Sequence, residues 1–385
     1  MNGAIIIEGH IQGLSNTRSL GEKGIPVYVV DKSDCIARYS KYCRKFFKSP
    51  NFLNDNFADF LINLAKKENI ADWVLIPSND HAVYSISKHK EKLEEYYKII
   101  TPELTIIERI YDKLKLVNYA EKIGIPVPKT QNFQFINQPL KENLQFPVLT
   151  KGRNGLSFYK AVGRIAFLAH NEEELRGHLA YIDKHYEVSK SFTQELIPSN
   201  GKNKTVSFTA FCEHGKIKAH WTGVKLREHP IQFGTATFTK NTYIDSCHKQ
   251  SEKLLKALNY TGVCEIEYIQ DPHSGEYKLI EINPRTWLWV GLAKACGVDY
   301  AKMIYDYVND NHITYAQADN KTRYWINPFT DTLISILSIL KGKLKLSAYI
   351  SSILKEEKIN ALFSKKDVKP GIAYLLSIVK FIKGR

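Results

Sequence analysis

Short apolar runs alternate with helical stretches along the first part of the chain. Residues 4–9 form an apolar run that ends at a glycine, residues 15–23 have a helical pattern, and residues 24–31 form a second apolar run. This order is typical of a β-α-β unit with a parallel sheet. A helix over 57–69 and a strand over 73–80 continue the pattern. We therefore predict an N-terminal α/β domain.

Polar residues follow the strand predicted over 73–77. Ser78, Asn79 and Asp80 stand where the strand ends and the next helix begins. Open parallel sheets bind ligands at such loops, so these side chains are candidates for lining a substrate pocket. The same polar run is equally well explained if these residues only form the turn and cap the start of the next helix. Both interpretations stay open at this point.

The middle of the chain mixes helices with strands in the manner of an α+β fold. A helix over 112–122 is stopped by glycine and proline, and a strand over 146–152 contains Lys151. Further strands are predicted over 192–198 and 206–221. Beyond about residue 320 the pattern becomes helical and basic. Additional helices are predicted over 172–185, 245–258 and 299–308.

An acidic hairpin is the most informative feature of the sequence. Glu281 and Asn283 belong to a strand over 277–283, where alternation places them on one face. Glu267 lies on a partner strand over 261–269, and turn residues connect the two strands. Two carboxylates and an amide oxygen suit Mg²⁺, with phosphate oxygens completing its shell. The alternatives are an edge hairpin with solvated acids and, if the register differs, Glu265 as the ligand.

This hairpin, in the pattern Glu281-Ile282-Asn283-Pro284-Arg285, resembles the metal-binding end of the ATP-grasp superfamily. The resemblance extends from about residue 105 to 310. Segments 223–228 and 232–237 are similar to one branch, the stand-alone predicted carboligases related to carbamoyl phosphate synthase. The resemblance implies an α/β and α+β chain: a pre-ATP-grasp parallel-sheet domain, ATP-grasp subdomains and a helical C-terminal tail.

By this resemblance, Lys113 and Lys151 reach the phosphates of ATP. The stretch Gln194-Glu195-Leu196-Ile197-Pro198 resembles the hinge strand that pairs with adenine, which implies Glu195, Leu196 and Ile197 as nucleotide contacts. The family's ribose-binding acid is missing after this strand, and Asn203 is the expected substitute. The implied metal ligands are Glu267, Glu281 and Asn283, for Mg²⁺ or alternatively Mn²⁺.

The implied catalytic residues are basic. Arg285 stabilises charge on the transferring phosphoryl group, and Lys225 and Arg227 receive the carboxylate substrate. A basic β-ribbon that faces water is the competing interpretation of Lys225 and Arg227.

The same resemblance sets the expected domain boundaries. Residues 1–110 form the pre-ATP-grasp domain and residues 111–310 the ATP-grasp domain. That second domain divides into a small nucleotide-lid subdomain at about 125–200 and a catalytic subdomain at about 201–310. Residues 311–385 form the basic helical C-terminal region.

The charge distribution and the cysteine content indicate which classes of binding partner and which cell compartment to expect. The net charge is +14, but residues 341–385 alone hold eleven Lys or Arg and three Asp or Glu. Because the excess lies in a tail, it argues against nucleic acid and favours an anionic membrane or a partner. Apolar helical stripes in the tail are equally typical of packing against the main domain. Six scattered cysteines are typical of a protein in the reducing cytoplasm. Peripheral contact of the tail with the inner face of the membrane and a homodimer are further expectations.

The function implied by the resemblance is ATP-dependent ligation of a small acid to an amine through an acyl phosphate. Modification of a cell-surface polysaccharide or peptide is the expected setting. Two alternatives remain open: a non-catalytic module that binds ATP or a metabolite, and carboxylate activation with a partner subunit, as in carbamoyl phosphate synthesis.

Overall fold

The fold is built on three β-sheets that are flanked by helices. A computed structural model describes residues 2–142, 144–198, 205–229, 234–310, 316–319 and 321–383. The sheets contain five, four and eight strands in chain order. The mixed α/β architecture with an N-terminal parallel sheet confirms the expected fold class.

The N-terminal sheet is parallel throughout, with strand order β3-β2-β1-β4-β5. Every residue of its two central strands near the N-terminus is buried, because helices cover both faces. The strands are β1 (Ala4–Ile7), β2 (Val27–Asp31), β3 (Cys43–Lys48), β4 (Trp73–Pro77) and β5 (Tyr97–Lys98). The helices are α1 (Ile11–Gly21), α2 (Asn56–Glu68), α3 (Asp80–Lys88) and α4 (Lys90–Glu94).

Two helices lead into a small antiparallel sheet with strand order β6-β9-β7-β8. The helices are α5 (Leu104–Tyr111) and α6 (Lys113–Lys122). The strands are β6 (Thr130–Gln131), β7 (Val148–Gly152), β8 (Ala166–Ala169) and β9 (Ser191–Glu195). One face of this sheet packs on α7 (Gly155–Val162) and α8 (Glu172–His185) through Phe158, Leu175 and Leu179.

The large sheet runs in the order β14-β13-β10-β11-β12-β16-β17, and β15 pairs with β11. Its hairpin of β13 and β14 sets Glu267 directly opposite Glu281 and Glu265 opposite Asn283. The strands are β10 (Thr205–Glu213), β11 (Lys216–His229), β12 (Thr235–Thr242), β13 (Gly262–Gln270), β14 (Tyr277–Asn283), β15 (Ala316–Gln317), β16 (Tyr324–Ile326) and β17 (Lys358–Asn360). The helices are α9 (Asp245–Ala257), α10 (Val290–Ala295) and α11 (Tyr300–Val308).

The C-terminal region is helical, as predicted, and it also supplies the short strands β16 and β17 to the large sheet. Its helices are α12 (Pro328–Leu340), α13 (Leu346–Ile353) and α14 (Lys369–Lys383). Leu362 is fully buried in the core beneath the N-terminal sheet. Asp367 is buried as well and pairs with Arg18 of α1 at 2.9 Å. Part of the tail therefore packs into the main fold.

Replacing Asp367 with alanine should lower the free energy of unfolding by about 3–5 kcal/mol, because it leaves a buried guanidinium without its counter-charge. Asp367 accepts hydrogen bonds from Arg18, from the Ser40 hydroxyl and from the Lys41 backbone. Denaturant unfolding measures the change. The matched control is Asp59→Ala, which breaks an exposed pair with Lys92 and should change stability little. Equal stability of both variants would contradict a structural role for the tail.

Candidate active site

A cavity of about 780 Å³ opens between the small sheet and the large sheet. Strands β7, β8 and β9 form one side, and strands β11, β13 and β14 form the other. Ten of the residues predicted from the sequence line this one cavity: Lys113, Lys151, Glu195, Leu196, Ile197, Lys225, Glu267, Glu281, Asn283 and Arg285. Asn203, the expected ribose contact, lies outside the described residues.

The acidic hairpin presents its polar side chains to the cavity. Glu267 and Glu281 face each other across β13 and β14. Glu265 lies behind them, nearly fully buried, and accepts hydrogen bonds from the Ser207 hydroxyl at 2.7 Å and the Asn283 amide at 3.1 Å. Burial, and then the charge of Glu267, raise the pKa of Glu265 to about 8. Glu265 therefore orients Asn283 while Glu267 and Glu281 carry negative charge into the cavity.

Two lysines neutralise these carboxylates. Lys113, at the start of α6, donates to Glu281 at 2.8 Å, and Lys225 on β11 donates to both oxygens of Glu267 at 3.0 Å. The Lys113 ammonium holds the pKa of Glu281 at about 2. Burial acts to lower the pKa of Lys225, but Glu267, Glu265 and Glu228 together raise it above its usual range. Lys113, Lys225 and Glu281 are thus charged at neutral pH.

The donor set fits a magnesium ion that is shared with a nucleotide. Among the described residues, no three His, Cys, Asp or Glu side chains lie close enough to hold a metal ion alone. Two carboxylates and an amide oxygen do converge here, from Glu267, Glu281 and Asn283. Mg²⁺ in proteins is usually held by one or two carboxylates, with substrate phosphates and water completing its octahedron. The cluster matches that pattern.

Lys151 reaches into the cavity from β7 of the small sheet. Its ammonium nitrogen lies 3.0 Å from the side-chain oxygen of Gln194 on the neighbouring strand β9. Burial and the nearby charge of Lys113 lower the pKa of Lys151 to about 7. In this contact the Lys151 nitrogen meets an amide oxygen and no carboxylate, and a phosphate would stabilise its charged form.

Binding of ATP at about pH 8 should be accompanied by uptake of about one proton, because Lys151 is mostly neutral there and phosphate raises its pKa. Since the complex binds the extra proton, the affinity for ATP should fall as the pH rises above about 7. Calorimetric titration in two buffers with different ionisation enthalpies measures the uptake. It should disappear in Lys151→Met and persist in the control Lys160→Met, an exposed lysine on α7. Equal uptake in both variants would contradict the assignment.

Arg285 connects the cluster to the N-terminal sheet. Its guanidinium forms two parallel hydrogen bonds of 2.9 Å with the Asp80 carboxylate, at the start of α3. Burial disfavours the charge of Arg285, but Asp80 outweighs this effect and raises the pKa above its ordinary value. Asn79 is the N-cap of α3 and accepts from the His81 backbone at 2.9 Å. The loop after β4 thus contains both a helix cap and a residue of the site.

A second cavity of about 260 Å³ lies on the other side of this junction. Lys113, Glu281, Asn283 and Arg285 line both cavities, so the cluster forms the wall between them. The remaining surface of the small cavity comes from the start of α3, from α5, from the start of α7 and from the end of the acidic hairpin: Asp80, His81, Ile107, Ile110, Tyr111, Asn154, Gly155, Leu156, Ile282 and Pro284. The cluster therefore stands between a large compartment and a small one.

Of the described site residues that the family resemblance implied, Arg227 alone lines neither cavity, and the pocket candidates Ser78 and Asn79 do not line them either. Its guanidinium forms two hydrogen bonds, of 2.8 and 2.6 Å, with the buried carboxylate of Asp331 on α12. Strict alternation would place Arg227 on the same face as Lys225, but the β11–β12 pairing shifts register between these two residues. Such a bulge re-aims the side chain. In this structure Arg227 binds α12 and does not line either cavity.

The stretch expected to be the hinge forms the end of β9 and the residues after it, and part of its hydrogen bonding is used within the protein. The backbone N–H of Glu195 donates to the Lys129 carbonyl, and that of Leu196 donates to the Pro147 carbonyl, both at 2.9 Å. The Glu195 carboxylate binds Lys278 at 2.8 Å. Glu195 and Leu196 therefore shape this end of the cavity, and their N–H groups are engaged within the protein.

Two residues of the region were missed in the sequence. Gln194, the partner of Lys151, is 43 residues away in the chain, so no local pattern marks the pair. Glu8 accepts from the Asn79 amide at 2.9 Å, and burial together with Asp31 raises its pKa to about 7. A signal for Glu8 was present, because it is an acid directly after the first apolar strand, at the edge where parallel sheets bind ligands.

Comparison with known proteins agrees with this geometry. The family described as the ATP-binding domain of the carbamoyl-phosphate synthase L chain matches residues 210–307. A D-aspartate ligase from Enterococcus faecium is 28% identical over 250 residues, which cover 61% of this chain and 59% of that protein. The carbamoyl phosphate synthase large chain of Methanobrevibacter smithii is 23% identical over 215 residues, 54% of this chain and 20% of that one. The chain thus spans less than two thirds of the length of either relative.

Solved structures extend the likeness over nearly the whole fold. N5-carboxyaminoimidazole synthetase from Staphylococcus aureus has a TM-score of 0.67 at 19% identity, with 89% of this chain and 88% of that chain covered. Its complex with ADP has a TM-score of 0.63 at 20% identity, with 82% and 79% covered. The matched family domain contains the acidic hairpin, and the structural likeness spans all three sheets. The chain is thus similar to ATP-grasp proteins of the carbamoyl phosphate synthase and D-aspartate ligase kind, in sequence around the acidic hairpin and in fold over most of its length.

Proposed function

We propose that this protein is an ATP-dependent carboxylate–amine ligase that forms ADP and works through an acyl phosphate. The observation that carries the proposal is the single cavity in which three lysines, an arginine, an amide and the carboxylates of Glu267 and Glu281 converge. A nucleotide-binding module would need the cations but not the full acidic hairpin. A centre that transfers a phosphoryl group needs both, because charge builds up on the transferring group.

The reaction divides into two balanced steps. A carboxylate oxygen of the acid bonds to the γ-phosphorus of ATP as the bond to the ADP oxygen breaks, which gives an acyl phosphate and ADP. The nitrogen of the amine then bonds to the acyl carbon, and inorganic phosphate leaves while the amine loses a proton. The protein's part is to hold the reactants in line and to neutralise charge.

Each residue of the cluster has a distinct part in this scheme. Lys113 and Lys151 bind phosphate oxygens as compact point charges. Glu267, Glu281 and Asn283 hold Mg²⁺, which supplies charge neutralisation on the phosphates. Arg285 stabilises the charge on the transferring phosphoryl group from the wall between the two cavities. Lys225 first breaks its ion pair with Glu267 and then binds the carboxylate of the acid substrate.

We propose that the small cavity is the binding site for the acid or the amine. It lies against the start of α3 and shares its wall with the cluster, so a substrate there meets the phosphoryl group at Arg285. Its volume of about 260 Å³ suits a small molecule such as an amino acid. Because the 28% identical relative is a D-aspartate ligase, aspartate is the first acid to test. Attachment to a cell-surface peptide or polysaccharide precursor is the setting that we propose.

The test is ADP release from ATP and Mg²⁺ with a panel of acids and amines. The panel contains D- and L-aspartate, other amino acids, uronic acids and bicarbonate, each with ammonia, amino acids or amino sugars. Turnover that requires one acid and one amine, with the product identified by mass, would support the ligase. Turnover with bicarbonate and ammonia would instead favour carbamoyl-phosphate-type activation. ATP binding without ADP release on any pair would refute the ligase.

A further inference from the structure

The hairpin formed by α12, α13 and the turn between them, residues 328–354, presents an unusual surface, and we call it the tail hairpin. The buried residues of α12 are the polar Asp331 and Ser335, whereas Leu333 is 60% exposed and Leu340 is 78% exposed. No residue of α13 is buried. A helix on the surface of a globular protein normally has the opposite arrangement. The exposed large apolar residues are Leu333, Ile336, Leu337, Leu340, Leu346, Ile350, Ile353 and Leu354.

The arrangement is fixed by polar contacts beneath the hairpin. Arg227 of β11 binds Asp331 on α12 and also the Ser352 hydroxyl on α13, at 2.8 Å. The Thr237 hydroxyl donates to Asp331 at 2.9 Å, and the Thr332 and Tyr349 hydroxyls meet at 3.0 Å between the two helices. These bonds hold the polar sides inward, so the apolar sides remain exposed to solvent.

The charge of the tail hairpin indicates which kind of partner would fit its exposed apolar surface. The tail hairpin contains three lysines, at 341, 343 and 345, and its one acidic residue, Asp331, is buried against Arg227. A symmetric contact between two copies would bring these lysines together without a counter-charge. A partner with an apolar interior and an anionic rim complements both features. A bilayer with anionic headgroups has this composition, and lysines next to an apolar helix face are typical of proteins that bind one.

The helices are suited to lie on a bilayer and not to cross it. α12 has 13 residues and is about 20 Å long, well short of a hydrocarbon core of about 30 Å. Among the described residues, no helix is both long enough and apolar enough to span a membrane. Shallow insertion of the leucine and isoleucine side chains requires neither length nor a rearrangement of the anchor at Arg227.

We propose that the tail hairpin is a peripheral docking surface for membranes that contain anionic phospholipid. Leu333, Ile336, Leu337 and Leu340 enter the boundary between headgroups and acyl chains, and the lysines of the turn bind the headgroup phosphates. The same Arg227 that anchors the hairpin is two residues from Lys225, which lines the large cavity. Docking therefore holds the reaction site at a constant position relative to the membrane. This proposal does not rest on the ligase activity.

The test is co-sedimentation of the full chain with vesicles of phosphatidylcholine alone or mixed with phosphatidylglycerol. The wild-type protein should pellet with the mixed vesicles and not with neutral ones, and added salt should release it. The double variant Leu337→Glu/Leu340→Glu should abolish binding. Lys341→Gln/Lys343→Gln should weaken it by about fivefold for each lysine.

Matched controls separate the hairpin from general effects. Phe135→Glu changes an exposed aromatic residue of the small-sheet unit, and Lys66→Gln/Lys67→Gln removes two exposed lysines of α2. Both controls should bind vesicles like the wild type. Because every changed side chain is exposed, thermal unfolding should be unaltered, and this is checked for each variant.

Three outcomes would overturn the proposal. The first is no binding to anionic vesicles, and the second is binding that the hairpin variants leave unchanged. The third is sedimentation of the wild type as a dimer that the leucine variant converts to a monomer, without vesicle binding, which would make the hairpin a contact between copies.

Discussion

Glu281→Gln should reduce ATP turnover by about 10³-fold or more while the protein remains folded. The substitution keeps the shape of the side chain but removes the charge that the Lys113 ammonium pairs with at 2.8 Å. It also weakens the proposed metal site, since an amide oxygen is a poorer ligand for a hard cation than a carboxylate. Steady-state ADP release with a saturating acid and amine measures the loss.

The control for Glu281→Gln comes from the same hairpin. Glu276 is an exposed acid in the turn between β13 and β14, and Glu276→Gln should turn over ATP like the wild type. Thermal unfolding of both variants tests whether the fold is retained, because Glu281 faces the cavity and not the packed core. Normal turnover in folded Glu281→Gln would contradict the metal assignment. A parallel loss in Glu276→Gln would show that the assay reports on the hairpin's stability instead.

Arg285→Lys should lower kcat by about 10²–10³-fold with little change in the KM for ATP. Arg285 makes two parallel bonds to Asp80 and a third contact, at 3.2 Å, with the Asn283 side-chain oxygen. A lysine keeps the charge but cannot reproduce this planar geometry. The loss therefore falls on the transition state, in which a correctly placed cation is needed, and less on nucleotide binding, which Lys113 and Lys151 support.

Two comparisons make the Arg285 result specific. Arg44→Lys alters an exposed arginine of β3 and should leave both kinetic constants unchanged. Asp80→Asn should repeat part of the kcat loss, because it releases the guanidinium from the N-terminal sheet without changing the cation. An Arg285→Lys variant in which only the KM for ATP rises would place this residue on the nucleotide instead of the reacting group.

Much of the site follows from local sequence patterns. Alternation along β14 places Glu281 and Asn283 on one face, and the turn after β13 makes Glu267 their neighbour, as the observed register shows. Parallel strands in the N-terminal unit were readable from continuous apolar runs, which become buried on both faces. These features depend on residues that are close in the chain, so periodicity alone predicts them.

Contacts between residues far apart in the chain could not be predicted from local sequence patterns. Lys113 meets Glu281 across 168 residues, and Asp80 meets Arg285 across 205 residues. No periodic pattern encodes such pairs, because they depend on how three sheets pack together. Arg227 shows a different limit: its role was implied by the resemblance of residues 223–228, and no sequence pattern marks the register shift in β11 that lies between it and Lys225. Its partner Asp331 lies on a tail helix whose attachment to the sheet has no local signature.

The fate of the carboxyl oxygen tests the central claim most directly. Once an acid and amine pair that supports ADP release is known, the acid is labelled with oxygen-18 in its carboxyl group, and the released phosphate is analysed by mass spectrometry. An acyl-phosphate route leaves one labelled oxygen on phosphorus, so the account predicts transfer of one label per product molecule. Ligated product accompanied by unlabelled phosphate would contradict the mechanism assigned to this cavity.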